Sequence, residues 1–206
     1  MKISNSKKKF IYLISPNQIK HNFYDNLKKV LSLQKTEFFQ LRLKNNTKQK
    51  KILIGKKIKK ICKYYKVKFI INDDPFVAKK IDADGCHLGQ KDMSIINARK
   101  IIGNKILGIT CHNSIRLGKE AIKNKADYLA FGAFNSSKTK KTKYKANIKL
   151  IIKARKLTNL PIVAIGGIND RNYKKLLLNK ANFLAISGYI WNNKKLKPVE
   201  ALKKLK

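Results

Sequence analysis

The sequence predicts an α/β fold, a single (β/α)8 TIM barrel, on two observations. Eight short apolar runs recur at fairly even spacing over 206 residues, and most are separated by segments with helical patterning. The runs are also nearly continuous in apolar residues, as parallel strands covered on both faces are. A doubly wound open sheet fits the same alternation and is the second architecture the pattern allows. No Pro/Gly-rich linker interrupts the chain, so one domain spanning 1–206 is expected.

The elements follow in order. A basic N-terminal extension (1–9) leads into the first strand, "FIYLIS" (10–15). The second, "EFFQLRLK" (37–44), is closed by Asn45-Asn46. "KILIGKKIKKICKYY" (51–65) places apolar residues three and four apart, the period of a helix. "KFIIND" (68–73) and "GCHLG" (85–89) are the third and fourth strands. "DMSIINARKII" then opens a helix with Asp92 and Ser94 as candidate caps. Strands five and six are "KILGIT" (105–110) and "YLAFGAF" (128–134), and a helix follows over 147–157. "PIVAIGG" (161–167) and "FLAISGYI" (183–190) complete the set, with a short last helix over 199–205.

Composition narrows the function classes. Hydrophobic residues make up 43%, enough for a core, yet no apolar run reaches the ~18 residues of a membrane span. The apolar part of the N-terminus is too short for a signal peptide. No membrane association and a cytoplasmic location are the expectation. Cys62, Cys86 and Cys111 lack a CxxC pairing, so reduced thiols are expected. Cys86-His87 and Cys111-His112 match no zinc-ligand spacing and read as residues lining strands.

The net charge is +38, which raises nucleic acid as a partner. The lysines are spread along the whole chain, and only five of the 49 basic residues are arginine, the residue that specific readers of nucleic acid favour. Abundant Lys, Asn and Ile also fit a compositional bias. No specific nucleic-acid partner is expected, and a homo-oligomer is left open.

In a (β/α)8 barrel, functional groups gather at the C-terminal ends of the strands. Gln40, Arg42 and Lys44 share one face of the second run, opposite Leu41 and Leu43, because strand side chains alternate. That face presents two cations and an amide to the barrel mouth, toward something anionic. Five of the eleven acids lie between Asp73 and Asp92. Asp74, Asp82 and Asp84 read as caps and turns. Asp73 and Asp92 end neighbouring strands and can reach one point. Two carboxylates beside Arg and Lys suit Mg²⁺ held against a phosphorylated substrate, since Mg²⁺ takes one or two carboxylates plus phosphate oxygens. Ser137, Thr139 and Lys140 offer hydroxyls and an ammonium in one loop, suited to phosphate, although a solvated lysine-rich loop explains them as well. Gly166-Gly167 lets backbone N–H groups approach a phosphate, aided by a following helix N-terminus. With Ser187 at the end of run eight, it forms a second candidate anion site.

"QLRLK", "IND", "DGCHLGQKD", "GIT", "SKTK", "AIGGI" and "AISG" occur in the order, and near the spacing, of the thiamine-phosphate synthase family, which the chain resembles from about Tyr12 to Trp191. "HLGQxD" together with "QLRxK" is the specific part. The resemblance implies a (β/α)8 transferase. It would join 4-amino-5-hydroxymethyl-2-methylpyrimidine diphosphate to 4-methyl-5-(2-phosphoethyl)thiazole, with Mg²⁺ as cofactor and pyrophosphate as product. By position, Gln40, Arg42, Lys44 and Asn72 would bind the pyrimidine diphosphate, and Thr110 would stand where the family has serine, near the pyrimidine. Asp73 and Asp92 would hold Mg²⁺, and Lys140 would touch the diphosphate. Ser137, Thr139, Gly167, Ile186 and Ser187 would bind the thiazole phosphate, the last three largely by backbone. Arg42, Lys44 and Lys140 would be the catalytic cations. The chain departs from the family at Leu43, where glutamate is usual, and in "GAFNSSKTK", where Ala133 and Ser136 replace two prolines and Ser137 replaces threonine. The alternatives are a thiazole tautomerase on the same barrel, which typically carries a histidine near the position of Ala133, and a non-catalytic polyanion-binding barrel. Retained acids at 73 and 92 speak against the latter.

Overall fold

The computed structural model describes residues 9–136 and 143–206. Its eight strands are all parallel and close in sequence order, β1 pairing with both β2 and β8. They are β1 (Ile11–Ile14), β2 (Thr36–Leu41), β3 (Lys68–Asn72), β4 (Gly85–Leu88), β5 (Ile106–His112), β6 (Tyr128–Gly132), β7 (Ile162–Ile165) and β8 (Phe183–Ile186). Closure removes both sheet edges and excludes the open doubly wound alternative. The helices are α1 (Phe23–Leu31), α2 (Lys48–Tyr64), α3 (Pro75–Lys80), α4 (Ile95–Ile102), α5 (Ile115–Lys123), α6 (Ile148–Leu157), α7 (Tyr173–Leu178), α8 (Gly188–Trp191) and α9 (Pro198–Lys203).

Local sequence sets the helix starts. Thr47, Asp74, Ser94 and Ser114 each accept a backbone N–H three residues on, which satisfies a donor that the first helical turn leaves open. Pro75 follows Asp74 at a position where the missing N–H costs nothing. Of the two caps expected before α4, Ser94 is the real one. The Asp92 carboxylate instead accepts the Gly89 N–H at 2.7 Å.

Two apolar layers result. The large outer one lies between the strands and the helices and includes Leu13, Phe39, Leu41, Phe69, Ile71, Leu107, Leu129 and Ile151. A smaller one fills the barrel interior with Tyr12, Ile14, Tyr128, Ala130, Val163 and Ala185. A repeated device closes the lower end. Asp84, Asp127 and Asn182, each immediately or shortly before an even-numbered strand, accept the N–H of Phe69, Leu107 and Ile162 respectively. Arg99 bonds to Asp127, and Arg155 bonds to Asn182. Polar residues on this face serve stability, which leaves the opposite face for chemistry.

Several boundaries differ from the sequence reading. β2 ends at Leu41, so Arg42 and Lys44 belong to the loop. The alternation nonetheless persists for one more step, with Leu43 only 4% exposed in the outer layer. β5 continues past Thr110 to His112, with its register shifted between those residues. The eighth run is not one strand. It stops at Ile186, and Gly188–Trp191 turns into helix. Residues 1–8 of the expected basic extension lie outside the described residues.

Candidate active site

The mouth is stitched together by Ser15, which follows β1. Its N–H donates to Gln40 O, its Oγ accepts the Arg42 N–H at 2.9 Å, and its carbonyl accepts from Ser187 Oγ at 3.0 Å. One serine thus fixes the ends of β2 and β8 relative to each other. The Arg42 guanidinium, partly buried, donates to Asn17 Oδ1 at 3.2 Å. Burial disfavours its charged form, and the nearby Asp73 carboxylate works in the opposite direction.

Beside Arg42 lies the acid pair. Asp73, just past β3, has φ +67, a left-handed conformation that a non-glycine residue seldom takes. Its N–H is held by His87 O at 2.8 Å. The Asp92 carboxyl lies near enough to Asp73 to act on its ionisation. Lys44 Nζ stands 4.0 Å from Asp73 Oδ2. Burial raises the Asp73 pKa first, and contact with Asp92 raises it further. Lys44 and Arg42 pull it back, leaving it at about 6 against an ordinary 3.8. A small cavity of about 140 Å³ opens here between Leu41, Leu43, Lys44, Lys51, Ile71, Asn72 and Asp73.

The pair has the donors a hard divalent cation takes. Two carboxylates follow the neighbouring strands β3 and β4, and the nearby Asp92 makes Asp73 resist ionising. Among the described residues no group of three or more His, Cys, Asp or Glu converges on a single point. The described residues alone offer no closed cage, and the set would suit Mg²⁺, which completes its shell with water and substrate phosphate. Asp74 and Asp84 are the cap and the strand-end acceptor described above, and Asp82 pairs with Lys59 and Lys105. Those three acids are structural, as their sequence context predicts.

The floor of the mouth is polar, and sequence reasoning missed most of it. Gln40 does point inward, but it is 2% exposed, and its Nε2 donates to Tyr12 Oη at 3.2 Å. Tyr12 Oη is 2.7 Å from Tyr128 Oη, which is 2.9 Å from His87 Nδ1. His87 Nε2 in turn is 2.8 Å from Thr110 Oγ1. Gln90 Nε2 donates to the Thr110 carbonyl at 2.6 Å. Glycine at 108 makes room for this chain, since a Cβ there would stand 1.8 Å from Tyr128 Cζ. The available signal was period two: Tyr12, Gln40, His87, Thr110 and Tyr128 all occupy inward positions of strands otherwise read as apolar runs.

The second expected anion site is assembled in part. Gly167 has φ +59, and a Cβ there would meet Ser136 O at 2.2 Å. Phe134 N–H and Asn135 N–H donate to Ile165 O and Gly166 O, so the start of the loop after β6 is laid along the glycine pair. Its far end is held as well: Ala133 N–H donates to Tyr144 O, Ala146 N–H donates to Ala133 O, and His112 stacks on Tyr144 with centroids 3.9 Å apart. Ser137, Thr139 and Lys140 lie outside the described residues. The expected helix directly after the glycines is absent. Asn169 and Asn172 build a turn, with Asn172 Nδ2 on Gly167 O, and α7 starts only at Tyr173. Ile186 buries its side chain in the outer layer, which leaves only backbone for a ligand, and Ser187 faces Ser15.

A barrel with a cationic mouth and an acid pair is shared by many phosphate enzymes, and comparison with known proteins decides among them. The thiamine monophosphate synthase family matches residues 11–190. The chain belongs to the thiamine monophosphate synthase family. It is 67% identical over the whole of both chains to a thiamine-phosphate synthase of Pelagibacter ubique. It is 35% identical to that of Erythrobacter litoralis, over 93% of this chain and 92% of that one. A thiamine phosphate pyrophosphorylase structure from Pyrococcus furiosus superposes with a TM-score of 0.85 at 27% identity, over 96% of this chain and 94% of that one. Members of this family are enzymes, and the chain is accordingly a transferase with thiamine-phosphate synthase function. Among the described residues, no helix is long and apolar enough to cross a membrane.

Proposed function

We propose that the chain joins 4-amino-5-hydroxymethyl-2-methylpyrimidine diphosphate to 4-methyl-5-(2-phosphoethyl)thiazole, releases pyrophosphate and uses Mg²⁺, in the cytoplasm. The observation that carries this reading is the Asp73–Asp92 pair flanked by Lys44 and Arg42. It combines two carboxylates for a hard cation with two side-chain cations for a diphosphate. In the reaction, the bond between the pyrimidine methylene carbon and the diphosphate oxygen breaks, and its electron pair leaves with pyrophosphate. The thiazole nitrogen lone pair then forms the new C–N bond.

The protein needs no nucleophile for this sequence. Its work is placement and neutralisation of charge on the leaving group. Arg42, braced by Asn17 and Ser15, and Lys44 would receive the diphosphate. Asp73 and Asp92 would hold Mg²⁺, which when bound supplies further positive charge to the departing oxygens. Asn72 and Thr110 would contact the pyrimidine. Lys140 would reach the diphosphate, and Ser137 and Thr139 the thiazole phosphate. The backbone at Gly167, Ile186 and Ser187 would complete that phosphate site. Ala133, where a tautomerase would carry histidine, favours this reading over the isomerase.

The test is to supply purified protein with both substrates, with Mg²⁺ or with a chelator, and to follow thiamine phosphate and pyrophosphate. Equimolar formation of both, dependent on Mg²⁺, is expected. Isomerisation of a thiazole substrate without pyrophosphate release would overturn the assignment.

A further inference from the structure

The buried chain from Gln40 to Thr110 crosses the barrel floor, and its donors can be counted. Gln40 Nε2 can only donate, so Tyr12 Oη accepts from it. A phenol has one proton to give. Tyr12 therefore gives its own to its other partner, Tyr128 Oη, 2.7 Å away. Tyr128 then gives its proton to His87 Nδ1 at 2.9 Å. A neutral imidazole that accepts at Nδ1 carries its proton on Nε2, and Nε2 faces Thr110 Oγ1 at 2.8 Å. Burial pushes the pKa of both phenols up, which keeps their protons in place. An imidazolium at 87 would reverse Tyr128, which would then donate to Tyr12. Tyr12, already accepting from Gln40, would lose Tyr128 as its acceptor.

We infer that Tyr12, Tyr128 and His87 form a one-way hydrogen-bond relay that fixes His87 as its Nε2–H tautomer and thereby makes Thr110 Oγ an oriented donor toward the barrel mouth. With His87 donating to it, the Thr110 hydroxyl cannot give its proton inward, and that proton is presented to whatever lies above. The matching ligand carries a bare heteroaromatic nitrogen at this point, as an aminopyrimidine does. A ring with a protonated nitrogen there would set donor against donor, and an unmet buried donor is costly. Tyr12, Tyr128 and His87 are positioning residues for the pyrimidine and touch no reacting atom. The polarity of the whole relay is set at its far end by the Gln40 amide. Turning that amide over would let Tyr12 donate to Gln40 Oε1 and would reverse every bond to Thr110.

The inference rests on the proposed function only in naming the pyrimidine as the ligand, and its first readout needs no substrate. In ¹⁵N-histidine-labelled full-length protein, His87 should show a pyridine-like Nδ1 and a pyrrole-like Nε2, assigned against the His21→Gln and His112→Gln proteins. Tyr128→Phe keeps the ring that fills the space beside Gly108 and removes only the hydroxyl. It should abolish the single-tautomer signature and raise the KM for the pyrimidine diphosphate about tenfold, the usual effect of losing one hydrogen bond, with the thiazole KM unchanged. Thr110→Ser should retain that affinity and Thr110→Val should lose it. A protonated Nδ1 in the wild type would overturn the relay, even if Tyr128→Phe failed to fold. A folded Tyr128→Phe protein with the wild-type tautomer and wild-type KM would overturn it too. A wild type that makes no thiamine phosphate but shows the Nε2–H tautomer would refute the proposed function and leave the relay standing.

Discussion

Asp73→Asn should stabilise the metal-free protein at neutral pH while damaging its activity. The carboxyl titrates near 6 in the folded chain against an ordinary 3.8, a difference corresponding to about 3 kcal/mol at most. The side chain is 30% exposed and faces Lys44, so solvent screening reduces the effective figure to about 1–2 kcal/mol. The sign follows from the raised pKa: the folded state binds this proton more tightly than the unfolded state. The contribution to stability is fully present below about pH 4 and is lost as pH rises through about 6. Wild type without metal should therefore weaken by about 1–2 kcal/mol between pH 4 and pH 7.5 through this group, and Asp73→Asn should not. Asparagine also tolerates the left-handed φ of +67 at this position, so backbone strain does not confound the comparison. Chemical denaturation of both proteins at pH 4.5 and 7.5 with a chelator present is the assay. Added Mg²⁺ should stabilise wild type, by about 2.7 kcal/mol at a hundred times its Kd, and the variant less. A stability difference between the two proteins that does not change with pH would refute the reasoning.

Arg42→Ala should lower kcat/KM for the diphosphate substrate at least tenfold, since a charge-assisted bond of about 1.5–3 kcal/mol is lost, and wild-type kinetics would contradict the inward placement. Gly167→Ala forces a Cβ toward Ser136 O at a positive φ. It should cost about 1–3 kcal/mol in thermal unfolding and raise the KM for the thiazole phosphate more than that for the pyrimidine. Asp127→Ala, at the opposite end of the barrel, removes the Arg99 pairing and the acceptor for Leu107 N–H. With its side chain 47% exposed, a loss of about 1–2 kcal/mol in denaturant unfolding is expected, with kcat and both KM values unchanged.

The βα alternation was legible because eight apolar runs and their helical spacers repeat, whereas closure was not, since an open doubly wound sheet fits the same pattern and the β1–β8 pairing decides it. Helix starts were legible where a side chain caps, as at Ser94, and less so where two candidates stood together, as with Asp92. Strand ends were harder to place. "FLAISGYI" reads as one apolar run, yet Gly188 onward is helical, and periodicity over so few residues does not separate the two. The acid pair could be seen because acids are scarce in a chain of charge +38. Tyr12, His87 and Tyr128 were hidden inside runs that look uniformly hydrophobic. A tyrosine or histidine within a strand reads as packing until register shows which side chains meet across the interior. Ser15 was equally silent, because its role depends on the ends of β2 and β8, distant in sequence.

The joint holding of Mg²⁺ by Asp73 and Asp92 during thiamine phosphate formation is the central claim. A Mg²⁺ titration of the initial rate for wild type, Asp73→Asn, Asp92→Asn and the double variant tests it most directly, with circular dichroism as the folding control. Each single variant should stay folded, require more Mg²⁺ and release pyrophosphate more slowly. The double variant should be little worse than the worse single one, since residues that serve one ion act as a unit. Two folded single variants with the wild-type Mg²⁺ dependence would contradict the account and make the pair structural.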